Sequence, residues 1–167
     1  MKLSSAYILE QLKKEFPNIS TTHNNAEAAT GADIVILAVK PWFMQPVMRE
    51  LKLKGKQILI SVAAGISFEE LAHYVVVPEM PMFRLIPNTA ISELESMTLI
   101  AARNTNDEQN QFMLRLFNEM GMSMLIPEEK IAATTALTSC GIAYVLKYIQ
   151  AAMQAGIEMG IRPKDAM

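Results

Sequence analysis

The chain has 167 residues, a length that suits one domain or one domain with a small extra layer. Half of it is hydrophobic (51%) and 19% is charged, enough apolar material for a packed core and too much for a disordered chain. The net charge is -2, and lysine and arginine are scattered rather than gathered into a stripe, which excludes the usual nucleic-acid surface.

Cys140 is the single cysteine, so no internal disulfide forms, and its presence fits a reducing cytoplasm. No apolar run reaches the ~18–20 residues of a membrane span. The first sixteen residues lack the apolar core and small-residue cleavage site of a signal peptide. These features predict a cytoplasmic globular protein with neither membrane nor nucleic acid as partner.

In chain order, Ser4-Ser5 can cap a helix with Ile8, Leu12 and Phe16 on one face, ended by Pro17-Asn18. Residues 19–22 are a short strand candidate, and a brief helix over 25–30 stops at Gly31. Ile34-Val35-Ile36-Leu37-Ala38-Val39 is an unbroken run of branched and apolar residues. Lacking polar alternation, it is expected as a central parallel strand buried on both faces. Residues 42–51 look helical despite Pro46.

Ile58-Leu59-Ile60-Ser61-Val62 is expected as a neighbouring buried strand, and Ser67 with Glu70 forms a capping box for the next helix. Residues 83–86 and 97–102 read as strands. Asn106 opens a helix carrying Phe112, Leu116 and Met120 and ended by Gly121, and residues 122–126 form a last strand. From Pro127 two alanine-rich helices follow, to about Ser139 and from Gly141 to about residue 159. The fold class is therefore α/β: a partial Rossmann-type, doubly wound, mostly parallel sheet over residues 1–126, then an all-helical segment over 127–167. The last turn, Pro163-Lys164-Asp165-Ala166, has the form of a further helix start and reads as a cut.

Metal chemistry has no support, because His23 and His73 stand far apart without cysteine-rich spacing. Cys140 has no sequence-local base. No Gly-x-Gly-x-x-Gly loop occurs in these residues.

Four segments carry a joint signal: Ala32-Asp33-Ile34-Val35-Ile36-Leu37-Ala38-Val39-Lys40-Pro41, Ile60-Ser61-Val62-Ala63-Ala64-Gly65-Ile66-Ser67, Arg84-Leu85-Ile86-Pro87-Asn88-Thr89-Ala90, and Thr135-Ala136-Leu137-Thr138-Ser139-Cys140-Gly141-Ile142-Ala143-Tyr144 running on to Ile161. In order and spacing the chain resembles the pyrroline-5-carboxylate reductases over nearly its whole length. The resemblance implies reduction of the cyclic imine 1-pyrroline-5-carboxylate to L-proline with NADP or NAD, NADPH favoured.

It also implies that Ala38, Val39, Lys40, Pro41, Val62, Ala63 and Ala64 line the nicotinamide nucleotide, with Asn25 a further cofactor contact. A lysine ending a buried strand is otherwise a solvated rim charge. Asn88 is either a turn start or an amide that holds the substrate. Thr135 and Thr138 are the other candidates near the substrate, and no residue is assigned as the general acid. Ser5 is either a plain helix cap or part of the loop that touches the adenosine phosphate. The family's Ser-Gly-Ser-Gly-Pro loop is replaced here by Thr138-Ser139-Cys140-Gly141-Ile142.

The resemblance further implies a strand and glycine loop ahead of Ser5, more helices beyond Met167, and a homodimer or larger assembly made through the helical segment. Two other readings stay open: a truncated remnant that folds without turnover, and a related dehydrogenase, such as a 3-hydroxyacid dehydrogenase, acting on another small substrate.

Overall fold

The computed structural model describes residues 5–167; Ser4 of the Ser4-Ser5 cap lies outside them. The chain divides into two compact units, residues 1–83 and 84–167. Five strands, β1 (Ile34–Leu37), β2 (Ile58–Ser61), β3 (Met82–Ile86), β4 (Ser96–Arg103) and β5 (Gly121–Leu125), form one sheet in the order β1-β2-β3-β4-β5. β1 with β2 and β4 with β5 are parallel pairs. The sheet is covered by helices, Rossmann-like, and everything after β5 is helical.

In the first unit, α1 (Ser5–Glu15) and α2 (Asn25–Ala29) precede β1. The apolar face of α1 is present, but Ile8, Leu12 and the following Phe16 are exposed. Residues 19–22 form no strand. The Thr22 hydroxyl donates to Glu27 (2.6 Å) and accepts from the Asn24 N–H (3.1 Å), so this segment is committed to the α2 entry, where Asn24 caps the Glu27 N–H.

β1 departs from expectation in two ways. It ends at Leu37, leaving Ala38 and Val39 outside the ladder, and it is not buried on both faces. Val35 and Leu37 point into the core, whereas Ile36 is 54% exposed. β1 stands first in the sheet and has a partner strand on one edge only among the described residues. The face bearing Ile34 and Ile36 borders a cavity of about 200 Å3 rather than a packed layer. β2 is the inner strand that was expected, with Leu59, Ile60 and Ser61 buried.

Pro46 does not break the helix after β1. The stretch runs as a 3-10 turn (Pro41–Phe43) into α3 (Met44–Glu50), which places Pro46 in the first turn, where no intrahelical partner for its missing N–H is needed. α4 (Phe68–Tyr74) starts on the Ser67/Glu70 capping box, with both reciprocal bonds present. Gln57 is buried because its amide closes this unit from within: it donates to the carbonyls of Ala29 and Ala32 and accepts from the Lys54 N–H.

In the second unit, α5 (Asp107–Asn118) starts on a second capping box, Asn106 with Gln109. Its buried side chains are Met113 and Phe117, one turn apart, where α5 lies on β4 and β5. Phe112 and Leu116 sit one position round the helix and are partly exposed.

Gly121 does not merely end a helix; it begins β5. Its φ is +128°, and a Cβ there would fall on the Ser96 backbone, so glycine allows the two parallel strands to start in register. α6 (Ile131–Thr138) and α7 (Cys140–Glu158) follow and meet at Ser139 alone. α6 buries only Ile131 and α7 only Gly156. Leu137, Tyr144, Val145, Leu146 and Tyr148 are all exposed on these helices.

Candidate active site

β1 and β2 run parallel, so both deliver their carboxyl ends to the same side of the sheet, where ligands of open α/β sheets bind. The ladder continues one step beyond β2, the Val62 N–H donating to the Leu37 carbonyl at 3.2 Å. The chain then turns, the buried Ser61 hydroxyl accepting from the Ala63 N–H (3.3 Å). On the β1 side, Lys40 caps the 3-10 turn and its carbonyl accepts from the Phe43 N–H at 2.9 Å.

Between the two exits lies a cleft of about 340 Å3 lined by Ala38, Val39, Lys40, Pro41, Val62, Ala63 and Ala64. Every lining residue is one that the resemblance implied for the nicotinamide nucleotide. Small side chains let a ligand approach the backbone closely, and Lys40 is the single charge on the rim. The volume lies in the lower range of small-molecule sites. The chemistry of this lining therefore fits a nucleotide head: an apolar floor for a flat ring and one exposed cation for a phosphate or carboxamide neighbour.

Asn25 is placed elsewhere. It lines the cavity behind β1, which shares Val39 with the cleft, and its amide donates to the Glu50 carboxylate at 2.9 Å. Ser5 is the first residue of α1, and its side chain lies outside the description.

The expected substrate-side residues all fall in the second unit. Asn88 caps the 3-10 turn Thr89–Glu93, its Oδ1 accepting from the Ala90 N–H (3.0 Å). It is thus a turn start, and its amide reaches further: Nδ2 donates to the Thr138 carbonyl at 2.9 Å. Thr135 donates to the Ile131 carbonyl (2.6 Å) and Thr138 to the Thr134 carbonyl (3.2 Å), each one turn back along α6. Asn88 and Thr138 are brought together, with Thr135 one turn away on the same helix.

The Ser-Gly-Ser-Gly-Pro loop of the resemblance becomes a single-residue joint, Ser139, whose hydroxyl oxygen is buried without a hydrogen-bond partner among the described residues. Sequence reasoning gave no role to Arg84, which pairs with Glu128 at 2.5 Å. A charge inside the apolar run Met82-Phe83-Arg84-Leu85-Ile86 was the available signal, because a buried guanidinium requires a counter-ion. Among the described residues no group of three or more His, Cys, Asp or Glu is arranged to hold a metal ion, and no helix is long and apolar enough to cross a membrane.

Comparison with known proteins agrees with the fold. Residues 4–65 match the family model described as NADP oxidoreductase coenzyme F420-dependent, and residues 128–167 match the one described as pyrroline-5-carboxylate reductase dimerisation. Pyrroline-5-carboxylate reductase 1 of Dictyostelium discoideum is 33% identical over 173 residues, covering 95% of this chain and 31% of that protein.

Among solved structures, the 1-pyrroline-5-carboxylate reductase of Streptococcus pyogenes superposes with a TM-score of 0.85 at 28% identity, covering 94% of this chain and 60% of that one. The Plasmodium falciparum pyrroline carboxylate reductase, solved with NADP bound, gives 0.80 at 27% identity over 87% of this chain and 56% of that one. The chain spans about half the length of the curated relatives it matches. The dimerisation model over residues 128–167, the relatives that align over nearly the whole chain and the superposed reductase structures agree: the chain belongs to the pyrroline-5-carboxylate reductase family.

Proposed function

We propose that this chain serves the NAD(P)H-dependent reduction of 1-pyrroline-5-carboxylate to L-proline, a cytoplasmic step of proline biosynthesis. The observation that carries the reading is the cleft whose entire lining is Ala38 to Pro41 and Val62 to Ala64. Lys40 is the rim cation on the nicotinamide side, and the backbone of the small residues forms the floor. Asn25, held by Glu50, is a second contact further along the nucleotide, and Ser5 a contact toward its adenosine phosphate. NADPH is the favoured form.

Ala38 to Pro41 and Val62 to Ala64 would hold the dihydronicotinamide, which would supply hydride for the imine carbon, the nitrogen's proton coming from solvent, while the protein's part is position and field. Asn88, Thr135 and Thr138 are the polar groups assigned to the imine side. In this reading residues 1–126 are the dinucleotide-binding domain, and residues 127–167 open the helical domain through which two or more copies associate. The exposed Leu137, Tyr144, Leu146 and Tyr148 support that contact.

A second reading is a folded chain that binds without turning over. Mixing the chain with NADPH and the imine and following absorbance at the nicotinamide band separates the two. Proline-forming oxidation of NADPH supports the reductase. Weak NADPH binding with no oxidation supports the second reading.

A further inference from the structure

Arg84 is the one charged side chain in β3, and its neighbours Met82, Phe83 and Leu85 are fully buried. Its side chain is 8% exposed and meets the Glu128 carboxylate at 2.5 Å across 44 residues of sequence. Glu128 opens the 3-10 turn Glu128–Lys130, which passes without interval into α6. At the other end of α6 the Thr138 carbonyl, one of the acceptors a helix terminus leaves without an intrahelical partner, takes the Asn88 amide.

Arg84 and Asn88 lie on and just past the same strand, so β3 and its exit hold α6 at both ends. α6 also packs on β4 and beside α7, but its buried apolar contact is narrow. Ile131 is its only buried side chain, Leu137 is 77% exposed, and its alanines Ala132, Ala133 and Ala136 face outward. A helix with so narrow an apolar contact can roll about its axis unless polar tethers set the angle. Arg84 is buried and the Glu128 side chain is 33% exposed, and such a partly buried pair can define an orientation while adding little net stability.

We propose that Arg84 and Glu128 are positioning residues that set the rotation of α6, and with it the presentation of Thr135, Thr138 and Ser139 to a carboxylated five-membered ring substrate. The proposal rests on the imine-side role given above to Thr135 and Thr138. It asks nothing of the cofactor cleft.

The test uses the full chain labelled with 15N, titrated separately with L-proline and with NADPH, beside the double variant Arg84→Met/Glu128→Met. An apolar pair of similar volume in place of a buried ion pair commonly leaves stability unchanged, so this variant separates orientation from folding. The expected result is that proline shifts the Thr135, Thr138 and Ser139 amide signals of the wild-type chain. The double variant melts as the wild type does, binds NADPH within twofold of it, and binds proline at least fivefold more weakly. Exchanging the partners, Arg84→Glu/Glu128→Arg, recovers part of the proline affinity.

Should the double variant fail to fold, Glu128→Asp, which keeps the charge and shortens the arm, is expected to weaken proline binding about threefold with NADPH affinity unchanged. A folded variant that binds proline as the wild type does overturns the positioning role and leaves the proposed function intact. A wild-type chain whose α6 signals ignore proline overturns both.

Discussion

β2 and α7 are both rich in apolar residues, yet they have opposite fates. Leu59 and Ile60 of β2 are essentially inaccessible, as are Phe83 and Leu85 of β3 and Leu99 and Ile100 of β4. α7 is longer and as apolar around much of its circumference, but Tyr144, Val145, Leu146 and Tyr148 are exposed and only the small Gly156 is buried. Apolar sequence declares that a surface will be covered; the neighbours decide whether the same chain does the covering. A sheet surrounds its inner strands with partners on both edges and layers on both faces, whereas α7 packs chiefly beside α6 and leaves most of its circumference open.

The sharpest way to break this comparison is to empty each region in turn. Phe83→Ala and Leu99→Ala are expected to cost about 3–5 and 2–5 kcal/mol in denaturant unfolding, because both side chains are fully enclosed. Leu137→Ala and Tyr148→Ala, each 77% exposed, are expected to stay within about 0.5 kcal/mol at concentrations where the chain is monomeric. Comparable losses at all four positions would mean that the helical segment is enclosed within the single chain.

Two glycines sharpen it at the backbone level. Gly121→Ala is expected to cost about 2–4 kcal/mol, the left-handed strain plus the forced parting of β4 and β5. Gly31→Ala, with φ +77° and open space around it, is expected to cost about 1 kcal/mol. Equal thermal shifts would contradict the close approach at Ser96.

Association tests the other region. Ile149→Asp is expected to weaken self-association by roughly 2 kcal/mol, about thirtyfold, through burial of an unpaired carboxylate. Gln154→Asp, on an exposed part of α7, is expected to have little effect. Sedimentation at micromolar concentration reads both, and equal effects would place the contact on another face. The smallest effect is expected at the cleft: Lys40 is exposed, so Lys40→Met should lower NADPH affinity by about 0.4–1 kcal/mol, a factor of roughly two to five, measured by calorimetry.

Much of the architecture was legible because it depends on local signals: the capping box at Ser67/Glu70, the helix start at Asn106, and the apolar runs of β1 and β2. What could not be read was set by neighbours. β1 carries the same kind of run as β2 but stands at the sheet's first position, so its burial on both faces failed. Residues 19–22 have strand-like composition, yet Thr22 is engaged by the α2 entry.

The cleft was readable in the same way as β1 and β2, since its residues lie directly after two strands whose parallel pairing brings their ends together. Asn25 entered the reading by resemblance and lines the adjoining cavity with Glu50, a contact that no local pattern announces. The Arg84–Glu128 pair spans 44 residues, and sequence offers only the need for a counter-ion, not its address.

The central claim is that the exits of β1 and β2 hold a nicotinamide nucleotide. Titrating the 15N-labelled chain with NADPH tests it most directly. The account predicts saturable shifts at the amides of Ala38, Val39, Lys40, Val62, Ala63 and Ala64, weakened but not relocated in Lys40→Met. Silence of these signals at millimolar NADPH, or shifts confined to residues away from the cleft, would contradict it.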